Sequence, residues 1–378
     1  MDLAGKLQDL LDDAVGQGMT PSAVCAASLD GEALPVLSAG LALRFGADGV
    51  PLPAAEQVPA DPQTWYDLAS VTKPFSAVAV LALVRDGLLD LDEPVAARLS
   101  AFAAPYRGSE TGSRGSEAGK QLVTLRHLLT HTSGLPGTWD GWREPLPDRQ
   151  AALASLISVP LVAEPGTGFS YSCVGYNTAM ALAESVTGMA WQTLVEHLVL
   201  EPLALGGDIT FQPDPGHCAA TECGSPDGRA LVRGEVHDES AHALGGAAAN
   251  AGLFGTASGV LRFAEALRGG FPALLPGPLA DLLWEDQLDG LLGSAAEAAR
   301  TGVGYGQSVG LRIGQLGWMG GEAADARGHN GFTGTSFLTD RGRRLSVVLL
   351  TNRVHPTRDG TDVTPLRKAV SEAVYTAA

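Results

Sequence analysis

Leu3, Leu7, Leu10, Leu11 and Val15 recur at helical spacing, so residues 2–17 are expected to form an amphipathic helix. Residues 22–29 and 34–43 read as a strand pair joined by Asp30-Gly31, a dipeptide suited to a tight hairpin turn. Residues 69–85 read as a helix whose middle, Ala77-Val78-Ala79-Val80-Leu81-Ala82-Leu83, is apolar on nearly every face, the pattern of a helix inside the protein. Residues 104–120 are rich in Gly, Ser and charge and read as a loop, expected to be mobile. Helices are expected at 124–131, 147–157, 174–187 and 189–199, irregular chain at 212–235, and a further helix at 257–268. Strand character returns at 305–314, 332–339 and 344–351, strongest in Val347-Val348-Leu349-Leu350, and residues 363–376 close as a helix. Strands at both ends of the chain around a helical middle imply one sheet assembled from the two ends, an α/β (α+β) architecture. The expected organisation is a discontinuous sheet domain of residues 1–75 and 255–378, with residues 76–254 inserted as a mainly helical domain that carries the 104–120 loop.

Hydrophobic residues make up 45% of the 378, enough to bury a substantial core, and the 48 glycines and 23 prolines imply many turns. A net charge of −17 repels phosphate backbones and argues against a nucleic-acid partner. No run of 18 apolar residues is present, so no membrane span is expected. Met1-Asp2-Leu3-Ala4-Gly5-Lys6 lacks a basic stretch followed by an apolar one, which makes the cytoplasm the expected location. The four cysteines, Cys25, Cys173, Cys218 and Cys223, are too scattered for a disulfide framework and read as reduced thiols. His217-Cys218 and Cys223 have no second Cys/His pair to complete a zinc site, so no metal is expected. Oligomeric state has no signature in the sequence.

Three segments carry chemistry. In Ser70-Val71-Thr72-Lys73 the hydroxyl and the amine are three residues apart, on one face of a helix, and so can meet. A serine becomes a nucleophile when a base takes its proton, and a lysine does so only if burial or its neighbours lower its pKa. The helix start also offers backbone N–H groups to an oxyanion. Tyr171-Ser172-Cys173 follows the Pro165-Gly166-Thr167-Gly168 turn, which can set a tyrosine at a cleft rim for proton relay with Ser70. His329-Asn330-Gly331, flanked by glycine and leading into a strand, would let a substrate lie along a strand edge. Taken singly, each segment also fits a structural role: a capping serine, a packed tyrosine, a turn before a strand.

Taken together, in this order and spacing, they resemble the serine β-lactamase and penicillin-binding-protein superfamily, with its Ser-x-x-Lys motif, second polar motif and Lys-Thr-Gly triad. Tyr66-Asp67-Leu68-Ala69-Ser70-Val71-Thr72-Lys73 resembles the nucleophile segment of class C β-lactamase-like proteins and family VIII esterases. Thr124-Leu125-Arg126-His127-Leu128-Leu129-Thr130-His131-Thr132-Ser133-Gly134-Leu135 resembles that group's helix-and-loop signature, in which His127 and His131 are read as structural. The resemblance spans roughly residues 20–375 and implies a β-lactamase/transpeptidase-like fold that needs no cofactor. It implies that Ser70 forms an acyl-enzyme and that Lys73 and Tyr171 manage the proton. By the same resemblance, the amides of Ser70 and Phe332, the residue after Gly331, hold the oxyanion, and His329 stands where a lysine is usual.

Two departures bear on the substrate. Cys173 replaces the usual asparagine of the second motif and offers little as donor or acceptor, which argues against efficient β-lactam turnover. His329 carries a charge only part of the time at neutral pH, so it would hold a carboxylate less firmly than lysine. The segments Arg233-Gly234-Glu235-Val236-His237-Asp238-Glu239, Leu244-Gly245-Gly246 and Ala251-Gly252-Leu253-Phe254-Gly255-Thr256-Ala257 resemble a subgroup connected with cell-wall recycling, some of whose members resemble amidases acting on muropeptides. In this chain Asn250 stands where that subgroup often has histidine, and His237 and Asp238 are either cleft contacts or a buried structural pair. The expected partner is a small-molecule ester, a muropeptide or a β-lactam. The alternatives to an esterase or amidase are a β-lactamase of weak turnover and a penicillin-binding module that acylates without efficient deacylation.

Overall fold

The computed structural model describes residues 2–103 and 119–378; most of the loop expected at 104–120 lies outside the described residues. The main sheet comprises β1 (Ser22–Leu29), β2 (Glu32–Ala33), β3 (Leu37–Leu43), β4 (Val58–Pro59), β5 (Gly306–Gln307), β6 (Arg312–Ile313), β7 (Arg327–Asn330), β8 (Ser336–Asp340) and β9 (Leu345–Thr351). Its spatial order is β5-β6-β7-β8-β9-β1-β3-β4, with β2 paired to β1. The two ends of the chain meet where β1 pairs antiparallel with β9, from Ala23 opposite Thr351 to Leu29 opposite Leu345. Both central strands are buried along nearly their whole length, which explains the unbroken apolar run Val347–Leu350.

Five helices matter for the site: α1 (Leu3–Gly16), α2 (Thr72–Arg85), α3 (Cys173–Thr187), α4 (Ala257–Arg268) and α5 (Thr364–Ala377). One sheet face packs on α1 and α5, where Leu7, Leu11, Val370 and Val374 join Ala23, Cys25 and Leu349. The opposite face packs on α4 and the helical layer behind it, in one continuous cluster that includes Val24, Val348, Phe263 and Phe75. Helix α2 is buried at every residue from Thr72 to Leu83, and its Phe75 stacks on Phe263 of α4 with ring centroids 3.7 Å apart. A helix enclosed on all sides holds Lys73 in its first turn, and Ser70 just ahead of it, in a fixed place.

The structure departs from the sequence expectations at several boundaries. The strand expected at 305–314 is two short strands, β5 and β6, because Gly310 turns the chain with φ +82 where a Cβ would lie 2.5 Å from Ala77 Cβ. The strand expected at 332–339 begins at Ser336, and His329 does not head that strand but sits in its antiparallel partner β7. The turn between them needs Gly334, at φ +112 and pressed against Thr351. The helix expected at 189–199 starts at Trp191 and passes into a π-helical turn over Glu196–Leu200. The stretch expected to be irregular, 212–235, contains a strand pair, Ala220–Cys223 with Leu231–Arg233. No helix of the described residues is long and apolar enough to cross a membrane.

His355 ties its own loop to the Arg44-Phe45 segment and to the strand Ala220–Cys223. Its Nδ1 lies 2.8 Å from Thr221 O, and its Nε2 accepts the N–H groups of Arg44 and Phe45 at 3.2 and 3.1 Å. Burial, more than the Thr221 contact opposes it, pushes the imidazole from 6.5 down to about 4. The unfolded chain therefore binds a proton in a pH range where the native protein refuses it. Stability is complete above pH 6.5 and falls as the pH drops toward about 4. Urea denaturation from pH 7 to pH 4 should show this fall, and His355→Gln should flatten the slope, reducing the total fall by on the order of 3 kcal/mol. An unchanged slope would remove His355 from the account.

Candidate active site

Ser70 sits in a turn of 3₁₀ helix, Ala69–Val71, that leads into α2. The residue before it, Ala69, has φ +48, a left-handed conformation that costs an alanine about 1–2 kcal/mol. The surroundings hold it there. Asp67 Oδ1 accepts the Ala69 N–H at 2.8 Å, and Leu68 N–H bonds to Leu253 O at 2.9 Å. From the turn after β7, the hydroxyls of Thr333 and Thr335 donate to the carbonyls of Asp67 and Leu68 at 2.8 and 2.9 Å. Burial raises the Asp67 carboxyl above its ordinary pKa, although the amides of His237 and Ala69 both donate to it. The nucleophile turn is thus bolted to the sheet edge, and Ser70 is presented half-buried.

Lys73, fully buried, points its Nζ back at the turn. Nζ lies 3.0 Å from Ser70 Oγ, 3.0 Å from Asn250 O and 3.4 Å from Cys173 Sγ. Three acceptors around one nitrogen are what an ammonium, with three N–H donors, requires. Burial lowers the pKa of this amine, but the fields of Cys173, Tyr171 and Asp238 outweigh it and the net shift is upward. The sequence reading required a lysine of lowered pKa acting as base. The net shift at Lys73 runs the other way.

The second segment is fixed by the helix-and-loop signature. Ser172 caps α3, accepting the Gly175 N–H at 3.0 Å and donating to Pro136 O at 2.6 Å. Its own N–H donates to His131 Nδ1 at 3.0 Å. Burial, with the charges of Lys73 and Arg312, keeps His131 well below the ordinary histidine pKa, so its ring is a neutral acceptor. The His131 ring lies 4.5 Å from that of Tyr171 and forms the bed on which the tyrosine rests. His127 closes a capping box with Thr124 one turn earlier, a structural role. Two cations flank the Tyr171 ring, Lys73 Nζ at 4.9 Å and the Arg312 guanidinium at 5.1 Å from its centroid. The Tyr171 hydroxyl is buried, and its interaction with Lys73 is among those that raise the lysine's pKa.

A cleft of about 610 Å³ opens over Ser70, walled by Tyr171, Cys173, Arg312, Gly331 and Phe332. Gly331 is dictated by contact, since a Cβ there would press on Thr335 Oγ1 and come within 2.6 Å of Leu68 O. Of the residues expected in the site, Ser70, Tyr171, Cys173, Gly331 and Phe332 meet at this cleft, with Lys73 directly beneath. His237 and Asp238 also reach the wall, each with one side-chain atom engaged in the fold. His237 Nε2 lies 3.0 Å from Glu222 Oε2, and Asp238 caps the short helix Glu239–Ala243 through Ala241 N–H at 2.8 Å.

His329 requires a correction. It is absent from the cleft wall, buried behind Tyr171 with ring centroids 6.0 Å apart, and its Nδ1 lies 2.9 Å from Asn330 O. Burial and the charges of Arg312 and Lys73 push its pKa well below the ordinary value, so it is neutral and does not replace a carboxylate-binding lysine. The cleft wall instead carries arginines that the sequence reading missed: Arg312, on β6, beside Tyr171, together with Arg353, Arg358 and Arg367. Arg312 Nη1 donates to Gln315 Oε1 and Asn330 Oδ1 at 2.8 and 2.7 Å, while its Nε is buried without a partner among the described residues. Among the described residues no three His, Cys, Asp or Glu side chains gather as a metal cluster.

A family model described as beta-lactamase matches residues 7–372. Esterase EstB of Burkholderia gladioli is 32% identical, over 99% of this chain and 95% of its own length. An N-acetylmuramyl-L-alanine amidase of Bacillus subtilis (strain 168) is 28% identical, over 93% of this chain and 81% of its own. Among solved structures, EstCE1, described as a hydrolase with promiscuous acyltransferase activity, superimposes with a TM-score of 0.75 at 24% identity, covering 99% of this chain and 98% of that one.

Proposed function

Because the chain belongs to the beta-lactamase family and is a serine hydrolase of that superfamily, we propose that it cleaves esters or cell-wall-derived amides through an acyl-enzyme on Ser70. The observation that carries this reading is the 3.0 Å contact between Lys73 Nζ and Ser70 Oγ at the floor of the open cleft. Ser70 Oγ attacks the substrate carbonyl. Its proton moves to the Tyr171 oxygen while Tyr171 passes its own proton to the leaving group. Negative charge gathering on the phenol oxygen meets Lys73 and Arg312, the two cations beside the ring. The amides of Ser70 and Phe332 receive the carbonyl oxygen. Water then enters by the reverse relay and releases the acid. The amide arm of the proposal is supported by the similarity to the Bacillus amidase. A reducing compartment, the cytoplasm, suits the four free thiols.

Efficient β-lactam turnover is not favoured, because the Cys173 thiol takes a bond from Lys73 where an amide would face the substrate. A carboxylate on the substrate would instead find Arg312, which bonds only neutral acceptors within the fold. The test compares p-nitrophenyl hexanoate with mono-p-nitrophenyl adipate, two esters of one chain length, the second ending in a carboxylate. Both should be hydrolysed, and the preference for adipate should fall about tenfold in Arg312→Met. Equal preference in both proteins would remove the anionic substrate. A β-lactam adduct that persists by intact mass, with no ester turnover, would replace the hydrolase with a slowly deacylating penicillin-binding module.

A further inference from the structure

The peptide unit between Gly331 and Phe332 has two working ends. It is trans, so its carbonyl and its N–H point in opposite directions. The carbonyl end is held inside the protein: Gly331 O accepts from Arg367 Nη2 at 3.0 Å and from Gly334 N–H at 3.1 Å. The N–H end is the amide assigned above to the substrate oxyanion. Arg367 lies in the first turn of α5, only 7% exposed, and the same Nη2 also reaches Thr335 O at 3.1 Å. These two carbonyls bracket the turn that bolts the nucleophile segment through Thr333 and Thr335.

The placement is costly, and two carbonyl contacts from one nitrogen are what it returns within the fold. Nε of Arg367 is buried without a partner, and among the described residues no carboxylate lies within ion-pair distance of it. Burial, and repulsion from Arg353, bring its pKa down to about 10 against the opposing field of Asp362, so it remains charged at neutral pH. A buried cation answered only by carbonyls is destabilising compared with an apolar side chain of similar size. Arg353, by contrast, donates to Phe332 O at 2.8 Å, on the next peptide unit, whose N–H belongs to Thr333.

We infer that Arg367 is a positioning residue for the oxyanion site: it fixes the plane of the Gly331–Phe332 peptide and, by drawing electron density toward Gly331 O, makes the Phe332 N–H a stronger donor. It stands at the cleft wall, and its effect on the oxyanion runs through that one peptide. The effect belongs to the transition state, where the oxygen is charged, and not to the neutral ground-state ester.

The inference rests on Ser70 being the nucleophile, and the test separates the two. Wild type, Ser70→Ala, Arg367→Met and Arg367→Lys are compared for p-nitrophenyl ester hydrolysis, for inhibition by a phenylboronic acid, and for thermal midpoint. The boronate forms a tetrahedral adduct on a serine and so reports the oxyanion site directly. Arg367→Met is expected to lower kcat/KM by about 10- to 100-fold, less than outright removal of one oxyanion donor. Boronate affinity should weaken by the same factor, with KM within about twofold and the thermal midpoint unchanged or raised. Arg367→Lys, which keeps the charge and a donor, should lose less in both readouts. If Arg367→Met does not fold, the Lys variant decides by the same pair of readouts. Boronate affinity equal to wild type in a folded variant would overturn the inference, whatever happens to kcat. Ester hydrolysis that survives in Ser70→Ala would instead overturn the nucleophile assignment.

Discussion

Ser70→Ala is expected to lower kcat/KM for p-nitrophenyl butyrate by about ten-thousandfold or more while leaving the thermal midpoint within a degree or two of wild type. The two halves of this expectation come from different observations. Activity is lost because the acyl-enzyme has no other oxygen to form on: Ser70 Oγ is the hydroxyl that Lys73 contacts at the cleft floor. Stability is kept because Ser70 is half-buried and its hydroxyl makes one bond, to a lysine that retains two other acceptors. Cys173 gives the experiment its second arm. Its thiol lines the same cleft 3.4 Å from Lys73 Nζ, and it is the nearest candidate for a replacement nucleophile. If Ser70→Ala hydrolyses the ester within a hundredfold of wild type and the double variant with Cys173→Ala does not, the nucleophile is the thiol and the serine assignment fails.

The sheet and the central helix were legible because their signals are local. Val347–Leu350 and Ala77–Leu83 are apolar on all sides, and a segment of that kind has to be enclosed. The turn at Asp30-Gly31 was legible because both residues take positive φ, 52 and 88, which that dipeptide tolerates. Boundaries failed where a tertiary contact sets them. The turn at Gly310 exists because the chain passes against Ala77, and the one at Gly334 because it passes against Thr351, more than 230 residues and 17 residues away respectively. The π-helical turn after Val195 left no mark in the apolar pattern, which continues through Leu198, Val199 and Leu200.

The site divides in the same way. Ser70 and Lys73 were legible from spacing on one helix, and Tyr171 from its order behind them. His329 was placed in the site because its neighbours in sequence are in it. In the fold Asn330 reaches the cleft wall, while His329 is buried with its ring 6.0 Å from that of Tyr171. Asn250 O, one of three acceptors on Lys73, is a backbone atom and has no side-chain signature. Arg312 and Arg367 read as ordinary charges on a strand and a helix. Only the assembled fold shows that each has a guanidinium nitrogen buried without a partner, and that both stand at the cleft.

Lys73→Met should separate catalysis from stability at a fully buried position. Methionine has about the length of the lysine stem and no charge. The buried ammonium it replaces carries a desolvation cost of several kcal/mol, and its three bonds only partly offset that cost. The variant loses those bonds and leaves Asn250 O with one donor fewer, a penalty of about 1–3 kcal/mol. The two terms are of similar size and opposite sign, so the unfolding free energy should stay within about 1 kcal/mol of wild type or rise above it. Activity has no such compensation. In the proposed relay the lysinium orients Ser70 Oγ and stabilises charge on the Tyr171 oxygen, two effects lost together, and kcat/KM for the ester should fall by about a thousandfold. Urea denaturation and ester kinetics on the same preparation test both halves. A variant that keeps a tenth of wild-type activity would show that the charge at position 73 is dispensable to the relay. A variant destabilised by 3 kcal/mol or more would show that the lysine is part of the architecture, and that the pocket was not built at the expense of stability.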